Sequence, residues 1–121
     1  HWGYPYRYCY LARSYDGEFF WSGISRTDVT TGRSVEYRFP DGMYCTEPVF
    51  IPLPGHSYIL EAHEEPGWLL SEGQDGGTGR AFLAVFRAES VEDGPVAMVK
   101  LRHHVPFSFH GYWRPALPRT V

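Results

Sequence analysis

The sequence predicts an all-β fold, and three observations carry that prediction. Aromatic residues make up 17% of the chain, with 9 Tyr, 8 Phe and 4 Trp, a composition that suits pleated, half-buried strands. The 13 Gly and 10 Pro supply turn positions between them. No helical period is sustained anywhere; short apolar or alternating runs recur instead, separated by turn signals.

In chain order, residues 4–11 read as a strand on which Tyr4, Tyr6, Tyr8 and Tyr10 alternate at period two and so share one face. Residues 19–28 read as the next strand. Thr30-Thr31-Gly32-Arg33 is a turn, from which Ser34 to Phe39 returns, and Pro40-Asp41-Gly42 is a second turn. Residues 48–52 form a short apolar strand. Residues 56–62 and 68–72 look like a pair joined through Glu64-Glu65-Pro66-Gly67, and residues 74–79 are a Gly-rich polar hairpin tip. Arg80–Arg87 and Val96–Arg102 are the last clear strands, joined by an acidic loop over 89–95. The tail from Trp113 holds two prolines and is expected to lie extended. About eight strands with almost no helix fit a sandwich, a barrel, or about two blades of a propeller at four strands each. No linker or domain boundary interrupts 1–121, so the chain reads as one unit.

Charge and composition exclude several functions. A net charge of -3 gives no basic face for nucleic acid. No apolar run of about 18 residues exists for a membrane-spanning helix. Cys9 and Cys45 are too few for a disulfide scaffold or a four-cysteine zinc site, and are expected as free, partly buried thiols. The run Gly76-Gly77-Thr78-Gly79 lacks the Lys and following helix of a phosphate loop. Ser14, Ser22 and Ser25 have no nucleophile-elbow context.

Two segments carry a resemblance. The first is Glu47-Pro48-Val49-Phe50-Ile51-Pro52, preceded by Phe39-Pro40-Asp41-Gly42-Met43-Tyr44; the second is Val105-Pro106-Phe107-Ser108-Phe109-His110-Gly111-Tyr112-Trp113. Asp28-Val29-Thr30-Thr31-Gly32 and Gly67-Trp68-Leu69-Leu70 are supporting matches, as is the stretch 97–106. In this order they resemble the C-terminal part of the carotenoid cleavage oxygenases, a family that includes apocarotenoid- and stilbene-cleaving enzymes and retinoid isomerases.

The resemblance implies a seven-bladed β-propeller, of which this chain would supply about two blades, open when isolated. It implies Fe(II) held on the propeller axis by four histidines. Only His110 of this chain matches one of them. Glu47 matches a carboxylate that accepts a hydrogen bond from a ligating histidine. Ser108 stands where the family has Gly. Phe107, Phe109 and Trp113 are expected walls of an apolar substrate tunnel. The implied reaction is oxidative cleavage of a carotenoid or apocarotenoid double bond with dioxygen, in a cytoplasmic protein that is at most peripheral to a membrane.

Elementary chemistry agrees with these roles. Imidazole suits ferrous iron, and a carboxylate on its other ring nitrogen fixes the tautomer and strengthens the donor. The two residues lie 63 positions apart, so only a folded sheet brings them together. One imidazole does not hold iron against water, so the chain alone is expected to be inactive. His103 and His104 are adjacent and point to opposite faces of a strand. His56 and His63 sit with Glu64 and Glu65 in what reads as a solvated turn, and His1 is terminal. The alternative reading is a non-catalytic β-domain that binds an apolar ligand or self-associates through open sheet edges.

Overall fold

A computed structural model describes residues 6–54 and 66–114. Among the described residues, eight strands and one short 3-10 helix run in the order β1 (Tyr8–Arg13), β2 (Gly23–Asp28), β3 (Ser34–Arg38), β4 (Met43–Cys45), β5 (Val49–Pro52), β6 (Gly67–Asp75), β7 (Arg80–Arg87), the 3-10 turn Ala88–Asp93, and β8 (Ala97–Lys100). They form two antiparallel sheets. The first has the order β1-β2-β3; the second has β4-β6-β7-β8, with β5 also paired to β6. The architecture is all-β and the sheets do not close into a barrel.

Period-two alternation decides which side chains meet between the sheets. On β7, Phe82, Ala84 and Phe86 point inward, and on β6 Leu69, Ser71 and Gly73 do so. Ile24 of β2 and Phe39, just past β3, meet them from the first sheet. The contact is aromatic: the Phe39 ring lies 5.5 Å from Phe82 and 6.0 Å from Phe86, and Tyr37 lies 5.6 Å from Phe86. The two contacts with Phe86 are edge-on, and such pairs add to the burial of their area. Gly73 faces Phe82 across the β6–β7 ladder. A Cβ there would stand 2.2 Å from the Phe82 ring and 2.4 Å from the Tyr44 carbonyl oxygen, so only Gly admits this packing.

Several sequence expectations shift. The strand expected over 19–28 begins only at Gly23. Glu18 draws the chain into a turn: its carboxylate accepts hydrogen bonds from Ser22 Oγ and, at 2.8 Å, from Arg38. The Trp21 carbonyl then accepts the Cys45 amide, and Met43–Cys45 is a strand paired with β6 where the sequence showed only the exit of a turn. The acidic stretch 89–95 is largely a 3-10 turn, anchored by the buried Val91 and by a 2.7 Å bond from Arg26 Nη1 to the Glu89 carbonyl. The strand expected over 56–62, with His56, His63 and the acidic pair, lies outside the described residues. Cys9 and Cys45 are not joined in a disulfide. Burial pushes the Cys45 thiol up to about 12, so it serves as a small core residue.

Candidate functional site

The site grows from an irregularity between β4 and β5. Cys45 pairs with Gly73, and Val49 pairs with Leu70. Thr46, Glu47 and Pro48 therefore stand opposite only Ser71 and Glu72, which makes a one-residue bulge. Pro48 has no amide to leave unpaired there. The bulge is held on both sides. Thr46 gives its amide (2.8 Å) and hydroxyl (3.2 Å) to the Glu72 carbonyl, and the buried Ser71 hydroxyl donates to the Thr46 carbonyl at 2.8 Å. These bonds present Glu47 to the C-terminal tail.

The tail arrives from β8. Leu101 extends the ladder with a 2.9 Å bond to the Ala81 carbonyl, and the His103 carbonyl accepts from Ala81 at 3.3 Å. Beyond that point the chain leaves the edge strand. The Phe107 ring stacks on Phe20 at 5.0 Å and 9°, and Phe20 in turn meets Phe19 and Tyr44. Glu47 then takes hold of the next turn of the tail with both oxygens. Oε2 lies 3.1 Å from His110 Nδ1, and Oε1 accepts the Gly111 amide at 3.0 Å. The Ser108 hydroxyl donates to the His110 carbonyl at 3.1 Å.

A carboxylate is an acceptor only, so in this pair Nδ1 carries the proton and donates. The neutral ring then offers a lone pair at Nε2 alone. The His110 side chain is 86% exposed and Glu47 35%, so the fold orients the imidazole without enclosing it. The cause is local: the tail crosses the rim of a single sheet. Beneath it lies a cleft of about 190 Å³ lined by Val49, Leu70, Leu83 and Trp113 together with Glu47 and Glu72. One carboxylate oxygen of Glu72 is buried there without a hydrogen-bond partner among the described residues.

Of the residues singled out in the sequence, Glu47, His110 and Trp113 share this cleft. Phe107 is turned instead toward Phe20, and Phe109 is 77% exposed. His104 sits against Gln74, not against His110. No group of three or more His, Cys, Asp or Glu side chains suited to a metal ion occurs among the described residues. The donor set fits one position of a metal centre, an imidazole with its outer nitrogen held by a carboxylate. Sequence reasoning missed Gln74, Thr46, Ser71 and Phe20. The first three act through register, which no local pattern encodes.

Fold and site together define an all-β protein whose outward-facing histidine is steadied by a carboxylate from a bulged strand. The sequence profile of the retinal pigment epithelial membrane protein family matches residues 1–115, and the chain belongs to this family, that of the carotenoid cleavage oxygenases. It is 30% identical over 113 residues to the apocarotenoid-15,15'-oxygenase of Synechocystis, covering 92% of this chain and 22% of that protein. It is 33% identical over 78 residues to carotenoid 9,10(9',10')-cleavage dioxygenase 1 of Phaseolus vulgaris, covering 64% of this chain and 14% of that protein. A solved single-site variant of the Synechocystis apocarotenoid oxygenase superposes with a TM-score of 0.83 at 29% identity, over 94% of this chain and 23% of that one. A cobalt-substituted form of the same enzyme gives 0.82 at 28% identity, with the same coverage. The chain thus spans less than a quarter of each of these relatives.

Proposed function

We propose that the protein is the C-terminal part of a non-heme Fe(II) dioxygenase that cleaves a carotenoid or apocarotenoid double bond, and that it supplies one of the metal's histidine ligands. The observation that carries this reading is the 3.1 Å contact between His110 Nδ1 and Glu47, which leaves Nε2 facing outward. The names of the relatives, and the cobalt-substituted form of one of them, support the reaction class and a metal centre.

Iron, when bound, supplies the activation of dioxygen. The residues of this chain do the rest of what falls to it. Glu47 keeps the proton on Nδ1 and stops the ring from rotating. The Gly111 amide balances the second carboxylate oxygen, so the same side chain holds ring and backbone. Trp113, with Val49, Leu70 and Leu83, offers an apolar wall along the cleft. Phe109, next to His110 in the chain, adds exposed apolar surface suited to a polyene, whereas Phe107 is turned toward Phe20. The remaining ligands and the enclosure of the site belong to the rest of such an enzyme. The 121 residues alone are therefore proposed to be inactive.

The test loads the polypeptide carrying this segment with Fe(II) anaerobically, desalts it, and measures retained iron and dioxygen-dependent cleavage of an apocarotenoid. His110→Ala is expected to abolish both. Glu47→Gln is expected to weaken metal retention by roughly 10- to 100-fold. The isolated segment is expected to retain no stoichiometric iron. Iron and cleavage that survive His110→Ala would sink the assignment. One iron per isolated segment would show that it holds a complete metal site.

A further inference from the structure

We infer that Gln74 is the positioning residue that sets the His110–Glu47 pair, by latching the tail to the same strand that shapes the bulge. Gln74 is only 7% exposed, although it lies one position from the end of β6. A buried amide needs partners for both of its ends. Both ends are spent on the tail: Nε2 donates to the Val105 carbonyl, and Oε1 lies 3.2 Å from His104 Nδ1. Gln74 shares a face of β6 with Leu70 and Glu72, the face over which the tail returns.

The position of the latch gives it its role. Ladder bonding of the tail ends at His103, and residues 106–114 are exposed. Past the ladder the tail has three fixed points: the Gln74 amide at 104–105, the Phe107–Phe20 stack, and Glu47 at 110–111. Removing the first lengthens the free segment that must be ordered before Glu47 can close on His110. That entropy is then drawn from the Glu47 contacts. Gln74 and Glu72 are two residues apart on one strand, and Glu72 holds Thr46 beside Glu47. β6 thus fixes both halves of the pair relative to each other. The inference takes from the proposed function only the idea that this pair is the working element, and it is tested without metal.

The Gly111 amide is a suitable probe, because it lies on exposed chain and has the Glu47 carboxylate as its acceptor. Its hydrogen exchange is measured by NMR in the wild-type protein, Gln74→Leu, His104→Ala and Glu47→Ala. Gln74→Leu is expected to speed Gly111 exchange roughly tenfold or more, approaching Glu47→Ala. The β7 ladder amides of Leu83 and Val85 should keep their wild-type rates. His104→Ala removes half of the latch and should give a smaller rise at the same amide. Unchanged Gly111 exchange in Gln74→Leu overturns the inference, as does a rise shared equally by Leu83 and Val85, which would mark general loosening. Should Gln74→Leu not fold, an unchanged Gly111 rate in His104→Ala overturns it as well. Loss of the iron assignment would leave this result standing, so the two failures are separable.

Discussion

The two sheets make the same hairpin twice and do different things with it. In the first sheet, Asp28-Val29-Thr30-Thr31-Gly32 joins β2 to β3; in the second, Asp75-Gly76-Gly77-Thr78-Gly79 joins β6 to β7. In each turn the Asp Oδ1 accepts the amides two and three residues on, at 2.9 and 3.3 Å. Each closes with the Gly amide on the Asp carbonyl, at 2.8 and 2.7 Å, and each Gly takes a positive φ, 72° and 67°. A side chain that caps its own turn, followed by Gly in the left-handed region, is a local solution that works in either sheet. The strands leading in differ. β2 begins only at Gly23 and has 6 residues, whereas β6 runs for 9 residues, long enough to carry two strands and a bulge on one edge and to grip the tail with Gln74. The shared turn is structural; the site comes from the extra length of β6.

The largest effect should come from the interface that both sheets need. Phe86 is fully buried against Tyr37 and Phe39, so Phe86→Ala is expected to cost about 3–5 kcal/mol in chemical denaturation. A cost below about 1 kcal/mol would mean that the sheets are stable apart from each other.

A smaller effect separates the sheets directly. In Gly73→Ala the new methyl meets a buried ring at 2.2 Å and a backbone oxygen at 2.4 Å. In Gly23→Ala it meets the Tyr15 hydroxyl at 2.6 Å and a backbone oxygen at 2.9 Å. The first should cost about 1–3 kcal/mol and the second distinctly less, because the tip of a Tyr side chain moves more easily than a core ring. Equal costs would remove the argument that β6 is the more tightly built strand.

The smallest effect tests the twin turns by pH. The Arg7 guanidinium, at 3.0 and 3.2 Å, leads in holding the Asp28 carboxyl below its ordinary value, helped by the Thr30 and Thr31 amides. Asp75 is lowered chiefly by the Thr78 hydroxyl, with the Gly77 and Thr78 amides. A depressed folded pKa means that the unfolded chain binds the proton more readily. The stabilisation is therefore complete above about pH 4–5 and is lost as the pH falls through the folded value. Asp75→Asn and Asp28→Asn should each flatten the acid decline of the melting temperature, Asp28→Asn more so because it also loses the Arg7 pair. Unchanged decline in both would remove these carboxylates from the acid response.

Much of the molecule was readable before folding, where the information is local. The strand Arg80–Arg87 matched β7 because it is a short apolar run, Ala81 to Phe86, bounded by turn signals on both sides. The local pattern marks a turn at 30–33, with 28–32 only a supporting match for the family; that Asp28 opens this turn, and that 75–79 repeats it in the same letters, is not part of that reading, and 74–79 reads only as a polar tip. The strand β4 was not readable, since its three residues form a strand only through long-range pairing with β6, Met43 with Asp75 and Cys45 with Gly73. Glu47 and His110 were picked out by motif, but nothing local indicated that a bulge and a buried glutamine would hold them in place.

By itself the sequence determined an all-β chain, most of its turns and its family, because apolar runs, glycine and turn-forming side chains act within a few residues. Only the tertiary structure decided that three residues would oppose two at Thr46–Pro48, that Gln74 would be buried under the tail, and that a carboxylate and an imidazole 63 positions apart would meet at 3.1 Å. Those outcomes depend on the register between strands and on the path of the tail across them, which are fixed only when the sheets pack.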